Sequence, residues 1–397
     1  MSDVAPILQL RRHEERRLRA GHLWVYSNEV DTAVSPLAGF APGAIARVHS
    51  SRGQFLGRAY VNPHALICAR ILSEDADRAI DAAWFADRLR AALVLRSRLY
   101  PTPHYRLVHG EADGLPGLVL DRYGDVLVGQ IGTAGMEALR PGLESAIVTV
   151  LGPRALVWRN SGSARELEGL PKEIVCPVGT LPDTLEVVEG GLRYSVPFAV
   201  AQKTGWFYDQ AANRRQLLRL LPPGARVLDV CAYMGAWGIS ALKAGASTAL
   251  AVDESAAALA AAARNAAANG CALATRVGNA FDVLAELREE GARFEVLVLD
   301  PPAFIKRRKD APRGQAAYRK LNQLALQLAA PDALLVSCSC SYHLAEDELL
   351  SLVQSAARHA GAKLQLLAAG GQAPDHPVHP AIVETRYLKA LFCRVLR

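Results

Sequence analysis

Two short stretches hold the residue types that could do covalent chemistry. Residues 296–304 read VLVLDPPAF, and residues 334–341 read LLVSCSCS. Each is an apolar run of strand length that stops abruptly at polar or turn-forming residues. The first ends at Asp300-Pro301-Pro302, the second at Cys338 and Cys340. In a parallel α/β sheet such strand ends open onto the ligand crevice. A thiol there is a candidate nucleophile, and a carboxyl beside it a candidate acid or hydrogen-bonding group.

The elements that must position these groups follow from the patterning of residues 196–397. Strands are predicted over 226–230, 248–252, 274–277, 296–299, 333–337, 363–367 and 387–395. Helices are predicted over 236–243, 256–268, 283–288, 315–328 and 346–360. This alternation predicts a doubly wound, mostly parallel sheet. The alanine-rich helix takes Ser255 as its N-cap and Asn269-Gly270 as its stop.

The loop after the first of these strands reads VLDVCAYMGAWGIS over 227–240, with Asp229, Tyr233, Gly235 and Gly238 preceding a helix. Its glycines let backbone approach a ligand, but the spacing is not the GxGxxG of a pyrophosphate site. Asp253 ends the next strand, where a carboxylate accepts ribose hydroxyls; an ordinary capping aspartate is the plainer alternative. Together the two acid-ended strands favour an adenosine ligand without a pyrophosphate, a description that S-adenosylmethionine fits.

The N-terminal residues differ in texture. Five arginines (Arg11, Arg12, Arg16, Arg17 and Arg19) fall within nine positions, which predicts a short helix with a basic face. Short strands separated by Gly and Pro follow over 23–26, 45–49, 55–60 and 65–72, the pattern of a small β-rich domain. The arginines read either as phosphate contacts or as a solvated helix face. Residues 81–99 and 136–150 then predict helices. Residues 105–109, 118–122, 126–131 and 155–159 predict strands, and 185–188 with 192–196 a hairpin turning at Gly190-Gly191. Glu111, Asp113 and Asp121 match no metal loop and read as turn and surface carboxylates. The domain boundaries expected are 1–75, 76–195 and 196–397.

The 397 residues carry a net charge of +6 and 51% hydrophobic side chains, which marks a globular chain with a modest preference for anionic partners. Seven cysteines, without a CxxC pair, argue against a disulfide framework or a zinc site and fit a reducing compartment. The N-terminus has no apolar signal core, and no apolar run reaches the roughly 18 residues a membrane helix needs. A cytoplasmic, soluble protein without a bound metal is expected.

Three resemblances are specific. RRHEERRLRAGHLWVYSNEV followed by PGAIARVHSSRGQFLGRAYVNP resembles the start of a PUA domain, a compact RNA-binding β-barrel. HGEADGLPGLVLDRYGDVLV resembles the middle domain found between PUA and catalytic domains in one methyltransferase family. Residues 202–210, QKTGWFYDQ, resemble the QKTGxxxDQ box of a bacterial family of 23S rRNA cytosine-5 methyltransferases. DVCAYMGAWGIS, VDES, LDPPAF, AYRKLNQLALQL and SCSCSYH follow in that family's order, so the resemblance covers essentially the whole chain. It implies a PUA-like β-barrel, a middle α+β domain and a C-terminal Rossmann-like class I methyltransferase domain with an antiparallel final strand. The implied partner is 23S rRNA, or a large-subunit assembly intermediate, and a homodimer is suggested.

Carried over box by box, the resemblance implies a cofactor pocket for S-adenosylmethionine. Its residues would be Lys203, Thr204, Phe207, Asp209, Asp229, Ala232, Tyr233, Gly235, Asp253, Ser255, Asn279 and Asp300. At Asn279 many relatives carry an aspartate that binds the adenine amino group; an Asn oxygen can still accept that bond.

Carbon 5 of cytosine needs activation. A thiolate adding at carbon 6 makes carbon 5 nucleophilic enough to take a methyl group, and the base must leave its stack to reach the thiol. The SCSYH register matches Cys340 to the family nucleophile and makes Cys338 a small buried residue. Some relatives carry a second cysteine after the DPP prolines, where this chain has Ala303 and Phe304. Asp300 is expected to hold the cytosine through N3 and its amine, supplying a proton. Pro301 and Pro302 stiffen the loop, and Phe304 either stacks on the base or packs in the core. Lys306, Arg307, Arg308 and Lys309 read as phosphate contacts beside the site. His343 reads either as the proton acceptor or, more plainly, as a surface residue, and Asp375-His376-Pro377 as a loop bordering the site. Two other functions stay open. One is methylation of a ring or exocyclic nitrogen, which needs no cysteine; the other is a non-catalytic RNA-binding assembly factor.

Overall fold

The computed structural model describes residues 5–397. The chain folds into two compact units. One comprises the chain up to Asp183 with Gln202–Trp206 and Asp375–Thr385. The other comprises Thr184–Ala201, Phe207–Pro374 and Arg386–Arg397.

The first unit contains two sheets. A small five-stranded sheet has the order Ile7–Gln9, Ala44–His49, Phe55–Val61, Ile67–Ser73, Trp24–Tyr26. Leu8, Val25, Val48 and Cys68 form its core. The helix expected in the arginine cluster shrinks to Arg16–Arg19. Arg17 is drawn into an ion pair with Glu29 and lies over the Tyr26 ring, and Arg11 donates to the Val30 carbonyl. Arg12 and Arg16 remain exposed.

The second sheet of this unit runs Glu173–Val178, Ala155–Asn160, Val126–Ile131, Leu118–Tyr123, His104–His109. Its first strand was not legible: Pro177 cannot donate to a ladder, and the strand is an edge with a register shift between Val175 and Val178. The helix expected over 136–150 is two helices, Ala134–Ala138 and Arg140–Leu151, because Pro141 has no N–H to continue the first. Tyr60, from the small sheet, is buried in the core of this second layer and bonds Thr133 Oγ1 and the Pro116 carbonyl. Asp121 pairs with Arg106, and Asp113 with Arg96, so these carboxylates are structural.

The second unit carries the doubly wound sheet. Its helices are α1 (Ala211–Leu220), α2 (Ala236–Lys243), α3 (Ala256–Ala268), α4 (Ala280–Glu289), α5 (Ala311–Gln327) and α6 (Glu346–His359). Its strands are β1 (Arg226–Val230), β2 (Thr248–Asp253), β3 (Ala274–Val277), β4 (Phe294–Leu299), β5 (Ala329–Ser339), β6 (Lys363–Gly370) and β7 (Lys389–Leu396). The order is β3-β2-β1-β4-β5-β7-β6, with β7 antiparallel to both neighbours and the other pairs parallel. The order reverses at β1 and β4, which places the ends of these strands at the topological switch point where ligands bind. Leu228, Leu297, Leu299, Tyr318, Leu335 and Leu391 belong to one core beneath the sheet. The hairpin Thr184–Glu189/Leu192–Pro197 joins this unit through Ser195 N to Asn265 Oδ1 (2.8 Å) and Tyr194 to Ser240. Among the described residues no helix is long and apolar enough to cross a membrane.

Candidate active site

The loop after β1 is built for close approach. Cys231, Tyr233 and Gly235 all have positive φ (63°, 50° and 76°). The two non-glycine residues store backbone strain of about 1–3 kcal/mol each, a feature concentrated at ligand sites. Gly235 admits no side chain: a Cβ would stand 2.8 Å from Leu273 Cδ2 and 3.0 Å from Ala262 Cβ. Asp253 fixes the loop from β2. Its Oδ2 accepts from Tyr233 N and its Oδ1 from Ser255 N, each at 2.9 Å. Ser255 caps α3 by accepting from Ala258 N. Phe207 meets the Tyr233 ring edge-on at 5.2 Å, and Ala232 is buried beside it.

Asp229 is fully buried. Its Oδ2 accepts from Gly238 N at 3.0 Å, while its Oδ1 has no hydrogen-bond partner among the described residues. Burial pushes its carboxyl up to about 7, and the nearby Asp300 and Asp253 charges push the same way. A buried orphan acceptor asks for a donor. Taken with the strained loop and Asp253, it fits a group such as S-adenosylmethionine, which carries an amine, ribose hydroxyls and a positive charge.

Asp300 follows β4 directly. Gln210 Nε2 donates to its Oδ1 at 2.8 Å, and Trp237 Nε1 to its Oδ2 at 3.1 Å. Desolvation raises its carboxyl to about 6 against the pull of these donors. Arg214 stands behind them, held by both oxygens of Glu189 and by the Phe207 carbonyl, with its guanidinium over the Trp237 ring. Asp209 accepts from the Tyr387 hydroxyl at 2.6 Å.

The two cysteines of SCSCS part company. Cys338 lies inside β5 and is buried; burial first, then the Asp300 charge, pushes its thiol well above 9. Cys340 lies past the end of β5 and is partly exposed. The serines on either side of Cys340 lock the strand end. Ser339 Oγ donates to Tyr318 Oη at 2.9 Å, and Tyr318 Oη meets Ser341 Oγ at 2.9 Å. Ser341 Oγ also accepts from Ile305 N at 3.1 Å. Tyr318 of α5 thereby ties the loop after Asp300 to the loop holding Cys340. Gly314 lets α5 lie this close, since a Cβ there would stand 2.2 Å from Ile305 Cγ1 and 2.9 Å from the Phe304 carbonyl.

Other expected site residues find different surroundings. Phe304 packs on Tyr318 (4.7 Å) and Phe281, at the margin of the core. Pro301 is buried and Pro302 exposed, and Lys306, Arg307, Arg308 and Lys309 are all exposed. Asn279 is exposed; its Oδ1 caps α4 by accepting from Phe281 N, and its Nδ2 donates to Glu254. Lys203 and Thr204 belong to the first unit, where Lys203 is exposed and the Thr204 hydroxyl donates to Asp121. Asp375 and His376 are buried in that same unit and bonded to each other. His343 is exposed against Tyr342. Gln210, Trp237, Arg214, Tyr318, Ser339 and Ser341 were not singled out as site residues in the sequence. All but Arg214 were polar or aromatic side chains inside boxes quoted for other residues; Arg214 lies in a segment with no quoted box.

Comparison with known proteins agrees with this architecture. Residues 8–74 match a PUA-like domain family, and residues 174–394 match the S-adenosylmethionine-dependent methyltransferase family. The ribosomal RNA large subunit methyltransferase I of Erwinia tasmaniensis is 35% identical over 397 residues, covering 98% of this chain and 99% of that protein. The protein of the same name from Cronobacter sakazakii is 34% identical with the same coverage. A SAM-dependent methyltransferase structure from Streptococcus mutans shares the fold at 19% identity, with a TM-score of 0.81 over 98% of this chain and 100% of that one. The chain belongs to the family of S-adenosylmethionine-dependent methyltransferases with a PUA-like domain that includes the ribosomal RNA large subunit methyltransferases I.

Proposed function

We propose that this protein methylates carbon 5 of a cytosine in 23S rRNA, free or in a large-subunit assembly intermediate, through a covalent bond between Cys340 and carbon 6. The observation that carries this reading is the contrast at the end of β5. Cys340 is partly exposed just past the strand, beside the loop that follows Asp300, while Cys338 is sealed inside. The relatives' activity on ribosomal RNA supports the substrate class.

S-adenosylmethionine supplies an electrophilic methyl group when bound, held by Asp229, Asp253, Tyr233 and the loop of Gly235. The Cys340 thiolate adds to carbon 6 while the protonated fraction of Asp300, enlarged by a pKa raised to about 6, gives its proton to N3. Carbon 5 is then electron-rich and takes the methyl group. Loss of the carbon-5 proton to a base expels the thiolate, N3 returns its proton, and the aromatic ring is restored. Residues 1–75 and the exposed run Lys306–Lys309 supply positive charge for RNA phosphates. Action on ribosomal RNA implies a cytoplasmic site.

The test is nucleoside mass spectrometry of rRNA methylated by wild type, Cys340→Ala and Cys338→Ala. Loss of 5-methylcytidine with Cys340→Ala and its retention with Cys338→Ala support the reading. Undiminished methylation by Cys340→Ala overturns it and favours a nitrogen acceptor.

A further inference from the structure

The Cys340 loop contains a buried cation that the chemistry above does not use. Lys389 opens β7, directly across from Ser339 of β5, and is only 6% exposed. A buried ammonium is costly unless hydrogen-bonded. Its Nζ donates to the Ser341 carbonyl at 2.6 Å and to the Tyr387 carbonyl at 2.9 Å. An ammonium has three N–H groups, so these two bonds leave one more to give. Ser341 follows Cys340 directly in the chain, so the ammonium is anchored to the backbone next to Cys340, whose charge it feels. Carbonyl groups alone could be satisfied by a neutral donor or by water. A full positive charge at this place has a further consequence, because it favours a thiolate over a thiol.

We propose that Lys389 is a positioning residue that holds Cys340 in its thiolate form, through an ammonium fixed by the Ser341 and Tyr387 carbonyls. This role rests on Cys340 being the nucleophile. The electrostatics agree. Desolvation lowers Lys389 to about 8, and Cys340 is the first charge that opposes the drop. Glu346 and Glu348 of α6 act in the same direction as Cys340, and Arg386 against it. The Tyr318 hydroxyl of α5 also feels the Cys340 charge. Cys338 of β5 is coupled to both Cys340 and Asp300. Lys389 is therefore the cation among these groups that is buried and tied to the backbone next to the thiol.

The experiment is the pH dependence of Cys340 alkylation by iodoacetamide in the full-length protein, read by peptide mass spectrometry for wild type, K389M and K389R. K389M is expected to raise the apparent Cys340 pKa by about one unit and slow alkylation at pH 7 about tenfold. K389R is expected to restore the neutral-pH rate. Cys176 and Cys271, both partly exposed, serve as internal references whose rates stay unchanged if the fold is intact. A K389M profile superimposed on wild type overturns the proposal. Should K389M fail to fold, K389Q decides, because it keeps an N–H donor for the two carbonyls and removes the charge. A K389Q profile superimposed on wild type overturns the proposal. The reading of Cys340 as nucleophile is judged separately: it fails if Cys340→Ala still makes 5-methylcytidine, whatever the alkylation profiles show.

Discussion

Gln210 and Asp300 are joined by a hydrogen bond of 2.8 Å, the Gln210 amide donating to Asp300 Oδ1, across 90 residues of sequence. With Trp237 on the other oxygen, this bond holds the carboxyl in one orientation and favours its ionised form. Replacing Gln210 with Leu removes the donor and leaves burial unopposed on that side. The Asp300 pKa is then expected to rise from about 6, and the corresponding limb of the kcat/KM–pH profile to move to higher pH. A profile that does not move separates Asp300 from the limb.

Tyr318→Phe tests the tie between the two loops. It removes the hydroxyl that links Ser339 and Ser341 and leaves buried polar groups short of a partner. About 1–3 kcal/mol of stability is expected to be lost in denaturant unfolding. kcat is expected to fall at temperatures where the variant remains folded, because the Cys340 loop loses its anchor. A stability loss with full kcat would make Tyr318 a core residue only.

Asp229 makes the protein's stability depend on pH. Its carboxyl rises from 3.8 to about 7 on folding, so the folded state holds a proton that the unfolded chain releases. The contribution is fully present below about pH 4 and is lost as pH rises through 7, a change on the order of a few kcal/mol. Asp300 adds to the same trend up to about pH 6. Unfolding free energy measured from pH 4.5 to 8 should fall more steeply for wild type than for Asp229→Asn. Parallel curves would remove Asp229 from the explanation.

Gly235→Ala should strike the cofactor loop. The substitution places a Cβ at φ +76° and 2.8 Å from Leu273 Cδ2. A stability loss of about 1–3 kcal/mol is expected, together with weaker S-adenosylmethionine binding in calorimetry. Unchanged affinity would show that the loop tolerates displacement.

The sequence made some parts of this architecture legible residue by residue. The strand Arg226–Val230 and the helices Ala236–Lys243 and Ala256–Ala268 emerge with the expected bounds; each helix is an apolar or alanine-rich run stopped by Gly245 or by Asn269-Gly270. The helix Ala211–Leu220 was missed. Arg214 and Asn213 are buried there by partners far away in sequence, so its inner face is not apolar. The ends of two strands announced Asp300 and Cys340 because aspartate and cysteine stand out after valine and leucine. Gln210, Trp237, Tyr318 and Lys389 could not be recognised in that way. Each acts on a residue brought close only by the sheet, and each is unremarkable within its own segment. Asn279 stands at the expected strand end, and its side chain also caps a helix.

The central claim is that Cys340 forms a covalent bond to carbon 6 of the target cytosine. It is tested most directly with rRNA containing 5-fluorocytidine, incubated with wild-type protein and S-adenosylmethionine. Fluorine at carbon 5 cannot leave as a proton does, so the adduct should persist after methyl transfer. Peptide mass spectrometry should find the methylated fluorocytidine on Cys340, and no adduct with Cys340→Ala. An adduct on Cys338, or methylated RNA without any adduct, would contradict the account.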